Sequence, residues 1–245
     1  MAAVELRGRS ALVTGAAKRV GRAIAVALGG AGMRVAVHYK DSANDAAETC
    51  RRVAAAGGRA VALSADLRDR AAARKLVDDA EGALGGLDLL VGNAAGYERR
   101  AFSDVDDAAW DRMVELNLSA QFALASRAAP CLARAKGSIV FVTCASATAP
   151  YANHLPYVVA KGGLRQLMRT LALELAPDVR VNAVAPGMVL SPDGFDAALA
   201  ERIGKRIPLG PIGSPEDVAD AVLFLARSPF ITGHEILVDG GRNLT

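Results

Sequence analysis

Cysteine is scarce in this chain: Cys50, Cys131 and Cys144 are its only three in 245 residues. An odd count with no paired spacing excludes a disulfide framework. Histidine is equally scarce. His38, His154 and His234 are scattered and share no ligand spacing with the cysteines, so a zinc site built by the protein is not expected. Long apolar runs are missing too. No stretch reaches the roughly 18 apolar residues of a membrane span, and the N-terminus MAAVELRGRSALVTG lacks the apolar run of a secretory leader. The expectation is therefore a cytoplasmic protein with no membrane partner. The net charge is only +3, with basic residues dispersed, so no nucleic-acid partner is expected either. There is no linker, charge block, low-complexity tract or repeat, which leaves residues 1–245 as one domain.

What is present is apolar sequence in short pieces. Hydrophobic residues make up 52% of the chain, enough for one large core. Short β-type runs at 10–13, 34–39, 59–64, 87–92, 138–143, 179–185 and 235–238 alternate with helical patterns at 20–31, 43–57, 69–84, about 107–134, 156–176 and near 215–227. Strands with so little polar alternation are buried on both faces. Strand–helix alternation implies right-handed crossovers and a parallel sheet. The fold class expected is α/β, a single doubly wound Rossmann-fold domain around a central parallel sheet. Its ligands belong beyond the carboxyl ends of the strands.

The first strand runs into Thr14-Gly15-Ala16-Ala17-Lys18-Arg19-Val20-Gly21. Small residues let the backbone approach a pyrophosphate, and the following helix offers free N–H groups and a positive dipole end. This is short of a full G-x-G-x-x-G fingerprint, and a tight turn without a ligand is the plain alternative. The second strand ends in His38-Tyr39-Lys40-Asp41-Ser42. NAD-selective sites place an acid at the strand end, for the ribose hydroxyls. Here position 38 is His, and Lys40, Ser42 and Arg19 are suited to a 2′-phosphate. That favours NADP(H) over NAD(H), with Asp41 the one objection.

Tyr157 and Lys161 stand four residues apart in PYANHLPYVVAK (150–161), on one face of a helix. A neighbouring ammonium favours phenolate and lowers a tyrosine pKa, giving a proton donor usable near neutral pH. Taken alone the pair is an ordinary helix face.

Joined to Thr14-Gly15…Gly21, Asp66-Leu67, Asn93-Ala94-Ala95-Gly96, Asn117, Pro186-Gly187 and Val238-Asp239-Gly240-Gly241, in this order, the pair makes the chain resemble a short-chain dehydrogenase/reductase nearly end to end. The resemblance implies roles. Tyr157 is the general acid to a carbonyl oxygen. Lys161 tunes Tyr157 and bonds the nicotinamide ribose. Asn117 holds a water that resupplies protons. Gly15, Lys18, Arg19, Val20 and Gly21 face the pyrophosphate, Asp66 and Leu67 border the adenine, Asn93 and Ala94 pass beneath the ribose, and Pro186, Gly187 and Val189 line the nicotinamide. It also implies a homotetramer, packed through the long helices and through the C-terminal segment 230–238.

One position departs from the family pattern. The family's catalytic serine lies thirteen residues before the tyrosine, and here that residue is Cys144, a weaker hydrogen-bond donor. Three readings stay open: Ser146 reaches the substrate instead, Cys144 donates weakly, or the substrate needs no donor there. Nothing in the sequence offers Cys144 a base, so it is not read as a nucleophile.

The first turn and VHYKDS resemble pteridine reductases, in which an Arg likewise replaces the middle glycine and an aromatic residue stacks on the pterin where Tyr97 stands. Those enzymes carry an aspartate at position 144, which this chain lacks. A substrate lid with one helix is expected at about 188–207. Met188 and Phe195 would cover the substrate, Ser191 would meet the cofactor carboxamide, and Tyr151 and His154 lie just upstream of Tyr157 where they can face it. The expected function is NADP(H)-dependent reduction of a small-molecule carbonyl substrate, 3-oxoacyl-type or another small ketone. The alternatives are pterin reduction and a non-catalytic NADP-binding homologue.

Overall fold

The computed structural model describes residues 2–189, 201 and 204–245. Seven parallel strands form one sheet: β1 (Ser10–Val13), β2 (Arg34–Tyr39), β3 (Arg59–Ser64), β4 (Leu89–Gly92), β5 (Ser138–Val142), β6 (Arg180–Pro186) and β7 (Glu235–Val238). Their order is β3-β2-β1-β4-β5-β6-β7. The helices are α1 (Arg19–Gly30), α2 (Ala43–Ala55), α3 (Arg70–Leu84), α4 (Asp107–Val114), α5 (Ala120–Ala135), α6 (Leu155–Glu174) and α7 (Pro215–Arg227).

Strands β1, β2, β4, β5 and β6 are buried along most of their length, as their lack of polar alternation requires, while the edge strands β3 and β7 are only partly buried. Leu12, Leu90, Ile139 and Phe141 join a core with α3, α5 and α6. Their neighbours Val13, Val91, Val140 and Val142 join a second core with α1, α2 and α7. The strand order reverses between β1 and β4, where Val13 pairs with Val91. That switch opens a crevice beyond the strands' carboxyl ends, the place where such sheets take ligands. No helix among the described residues is long and apolar enough to cross a membrane.

Helix ends are finished unequally. Asp69 caps α3 by accepting from the Ala71 N–H at 2.8 Å, and Asp106 caps α4 by accepting from the Ala109 N–H at 2.7 Å. Ser214 and Asp217 close a reciprocal capping box on α7. At the other end of α7, the Arg180 guanidinium donates to the carbonyls of Leu225, Ala226 and Ser228. The N-terminus of α1 has no side-chain cap and no acid in its first turn. Its N–H groups and positive dipole end face the crevice.

The single long helix expected over 107–134 is divided. Residues Glu115–Ser119 form a π-helical turn between α4 and α5. The lid residues Ser191 and Phe195, and the helix expected there, lie outside the described residues.

Candidate active site

The first turn is tied to the loop after β4 by one hydroxyl. Thr14 Oγ1 donates to the Val91 carbonyl and accepts from the N–H groups of Asn93 and Ala94 at 2.9 and 3.0 Å. Asn93 Nδ2 returns bonds to the carbonyls of Thr14 and Gly15 at 2.9 and 3.2 Å. A Cβ at Gly21 would fall 2.2 Å from the Gly15 oxygen, so only glycine lets α1 begin this close to the turn. Arg19 takes a left-handed φ of 53° where glycine is the usual choice, a conformation costing about 1–2 kcal/mol. Behind the turn, Arg22 and Thr49 both donate to the Ala17 carbonyl.

His38, expected to reach the cofactor, lies beneath the turn instead. It is 3% exposed. Its Nδ1 accepts from the Gly15 N–H at 3.0 Å, leaving Nε2–H to donate to the Ala65 carbonyl at 3.1 Å. Burial lowers its pKa and keeps it neutral. Both ring nitrogens are occupied in holding the turn, so the cofactor contact expected of His38 is not open to its side chain.

Cations do gather around the turn. Lys18 pairs with Asp45 at 3.0 Å. Lys40 pairs with Asp66 at 3.2 Å and stands 3.8 Å from Asp41. Arg68, which the sequence reading passed over, grips the Asp66 carboxylate through Nε and Nη2 and holds it far below the usual carboxylate range. The signal for it was the Asp-x-Arg spacing beyond β3. Tyr39 is half-buried and packs against the core, and Ser42 opens α2 without capping it. The Leu67 side chain packs into the core, so only its backbone is left to border an adenine.

Beyond β6, the Gly187 N–H bonds the Val238 carbonyl at 2.9 Å, and a Cβ there would sit 2.7 Å from the Asp239 Cβ. The Met188 carbonyl accepts from the Gly213 N–H at 3.1 Å, and Val189 is buried in the core beside Pro186-Gly187. The C-terminal Val-Asp-Gly-Gly thus braces the loop expected to line a nicotinamide.

Tyr157 and Lys161 enter the same crevice from α6. Lys161 is 2% exposed; its Nζ donates to the Val142 carbonyl at 2.8 Å and lies 5.9 Å from the Tyr157 ring centroid. Burial lowers its pKa to about 8. The Tyr157 phenol is displaced the other way, well above the ordinary value, first by burial and then by the Cys144 thiol beside it. This reverses the lowering expected from Lys161, because desolvating a phenolate outweighs one ammonium at this distance. The phenol is therefore held in its protonated, donating form.

Asn117 sits in the π-helical turn, fully buried. Its Nδ2 donates to the carbonyls of Gly96 and Met113 at 3.1 and 2.9 Å, while its Oδ1 has no partner among the described residues. Ser146 follows Cys144 in the 3₁₀ turn after β5 and is 3% exposed, with its Oγ likewise unpartnered. Facing these groups is an aromatic wall. Tyr97 stacks on His154 at 4.8 Å and meets Tyr157 edge-on at 5.0 Å, and Tyr151 meets His154 edge-on at 4.8 Å. The structure thus brings Tyr157, Lys161, Cys144, Ser146, Tyr97 and His154 to one wall of the crevice.

The family model described as enoyl-(acyl carrier protein) reductase matches residues 15–243. A Streptomyces violaceoruber protein named as a ketoacyl reductase of the granaticin polyketide synthase is 40% identical, with 96% of each chain covered. The 3-oxoacyl-[acyl-carrier-protein] reductase FabG of Staphylococcus aureus is 33% identical over 95% of this chain and 97% of its own. Among solved structures, one from Sinorhizobium meliloti 1021 named as a short-chain alcohol dehydrogenase superposes with a TM-score of 0.93 at 38% identity, covering 98% of both chains.

Proposed function

The chain belongs to the short-chain dehydrogenase/reductase family, an oxidoreductase acting on CH–OH or C=O groups, and we propose that it is an NADP(H)-dependent reductase of a small carbonyl compound, of 3-oxoacyl or simple ketone type. One observation carries the reading. Lys161 is buried beside Tyr157, its Nζ donates to the Val142 backbone carbonyl, and it pairs with no carboxylate among the described residues. A buried ammonium without a counter-ion is costly, and such groups concentrate at functional sites.

The residues present fit the nucleotide. The uncapped N-terminus of α1 is suited to a pyrophosphate, and Lys18, Arg19, Lys40 and Arg68 ring the side where a 2′-phosphate would lie. When bound, NADPH supplies a hydride. Tyr157 donates the proton that completes reduction of the carbonyl oxygen. Lys161, poised to titrate near neutral pH, returns a proton to it, and the unpartnered Asn117 Oδ1 is placed to hold a water in that path.

The test is a screen of NADPH consumption over acyl thioesters, diketones, quinones and pterins, paired with NADPH binding followed by fluorescence. Binding with turnover of at least one carbonyl compound is expected. Failure to bind NADPH, or turnover of none of them, overturns the reading. Turnover of pterins alone would transfer it to the pteridine-type alternative.

We also propose a homotetramer. α5 and α6 expose Phe122, Val159 and Leu173, the last 82% exposed, on their outer faces. Leu223, Phe224, Phe230 and Ile231 line a largely apolar hollow of about 920 Å³ against α7. Light scattering should give four times the 25.3 kDa protomer.

A further inference from the structure

Histidine is as rare as cysteine in this chain, and one of its three, His38, is buried beneath the first turn. It stands near the carboxyl end of β2, in register with Leu63 of β3. From there it holds two successive residues of the turn. The Gly15 N–H donates to its Nδ1 at 3.0 Å, and the Ala16 N–H donates to its backbone carbonyl at 2.8 Å. From the other side, Asn93 Nδ2 donates to the Gly15 carbonyl at 3.2 Å. Gly15 has a left-handed φ of 62°, and a Cβ on it would sit 3.0 Å from the Ala94 Cα, so the turn is packed tightly against the loop after β4.

Only one form of the ring fits this place. A backbone N–H can only donate, so Nδ1 has to accept. The ring proton is then on Nε2, where the Ala65 carbonyl accepts it at 3.1 Å. An imidazolium carries a proton on both nitrogens. Its Nδ1–H would meet the Gly15 N–H, donor against donor, at a residue only 3% exposed. Charged residues on the segments around it are Lys18, Arg19 and Arg22 on the first turn and α1, Lys40 and Asp41 beyond β2, Asp45 on α2, and Asp66, Arg68 and Asp69 beyond β3; β1 and β4 bring none. Of these, Asp66 draws the imidazole toward its charged form, but it is already bound by Arg68 and Lys40, and burial outweighs it.

We infer that His38 is a positioning residue for the dinucleotide: its neutral imidazole holds the first turn in the binding shape, and a single proton taken up at Nδ1 opens the turn and expels the cofactor. The inference rests on the nucleotide site proposed above and adds a proton-sensitive latch to it. The proton comes from solvent, and no covalent bond other than Nδ1–H forms. Cofactor and proton then exclude each other. Nucleotide affinity falls as His38 is protonated, and bound nucleotide makes His38 harder to protonate by the same factor. Burial keeps the ring neutral, so the loss of affinity belongs below pH 6.5, the ordinary histidine value.

The test uses purified full-length protein labelled with ¹⁵N at histidine, whose three imidazoles can be followed separately by NMR. In the free protein His38 should show the Nε2–H form at about pH 7.5 and titrate between pH 6.5 and about pH 5. NADPH affinity, from fluorescence titration over the same range, should weaken by up to about tenfold per pH unit below the point at which His38 titrates. Saturating NADPH should move that titration to lower pH. His38→Asn keeps an acceptor for the Gly15 N–H and takes up no proton. It should lose less than about tenfold in affinity at neutral pH, the worth of the bond to Ala65, and show the shallower pH slope. The 2′-phosphate titrates near pH 6 in both proteins and cancels from their ratio. Four results overturn the proposal: a proton on Nδ1 at neutral pH, no protonation of His38 above about pH 5, a His38 titration that NADPH leaves unmoved, or equal pH slopes in the two proteins. Each leaves the reductase reading intact as long as NADPH binds at neutral pH. Absence of NADPH binding at every pH would instead remove that reading, and the latch with it.

Discussion

Thr14 and Ser146 are both buried hydroxyls at the carboxyl edge of the same sheet, and they are employed in opposite ways. Thr14 Oγ1 has three backbone partners and locks the first turn to the loop after β4. Ser146 Oγ has none. The difference extends to their surroundings. On the nucleotide side His38, Arg22, Thr49 and Asn93 spend their polar atoms on fixing backbone. On the substrate side Asn117 Oδ1 and Ser146 Oγ are left open, and three phenols and a thiol converge. A ligand common to a whole family can be met by backbone held rigidly in place. A ligand that differs between members has to be met by side chains with capacity in reserve.

Substitutions on the two sides should therefore fail differently. The largest effect belongs to Tyr157→Phe: kcat should fall by about 10²–10⁴ while NADPH still binds, measured by stopped-flow turnover beside fluorescence titration. Equal loss of binding would erase the distinction between the sides. Next comes Thr14→Val, which strands the Ala94 N–H and leaves the Asn93 N–H only its longer bond to the Val91 carbonyl. It should cost about 1–3 kcal/mol of stability and weaken NADPH binding, read by urea unfolding and titration together. Lys40→Ala should lower the preference for NADPH over NADH about tenfold, the worth of one charged hydrogen bond; an unchanged ratio would place the 2′-phosphate elsewhere.

The pH profile gives a subtler test. Lys161 loses its proton through about pH 8 because burial favours the neutral amine. With a protonated Lys161 resupplying Tyr157, as proposed, the reduction rate should fall as pH rises through that value. The same shift means that the unfolded chain holds more protons than the folded one between about pH 8 and the ordinary lysine value of 10.5, so this residue adds stability as pH rises across that window. Smallest of all, Ser146→Ala should move unfolding stability by less than about 0.5 kcal/mol, since it strands no backbone group among the described residues; a large loss would reveal a backbone bond to this hydroxyl and weaken the contrast with Thr14.

Much of this was legible in the sequence, for identifiable reasons. Buried strands declare themselves as apolar runs, and β1 and β2 fall on the residues expected; so do β3 and β7, although these edge strands are only partly buried. The crevice followed from strand order, and the pairing of Tyr157 with Lys161 from helical spacing. Other features were not encoded locally. The inward turn of His38 depends on Ala65, 27 residues away. The sign of the Tyr157 shift depends on burial, which no i, i+4 spacing reveals. The break in the long helix was hidden because ELNLS keeps an ordinary helical pattern.

That break has a consequence of phase. A π-helical turn amounts to one extra residue in an α-helix, and each α-helical residue advances the helix by about 100°. Residues 107–114 and 120–135 are therefore out of step with each other by about that angle, and the seam between them falls at Asn117. Deleting one residue from 115–119 would bring the two halves back into step as a single regular helix. The face that α4 turns toward α6 would then rotate away, taking Met113 and its carbonyl from beneath the Asn117 amide. A change that made the helix more regular would thus dismantle the support beneath the proposed proton path.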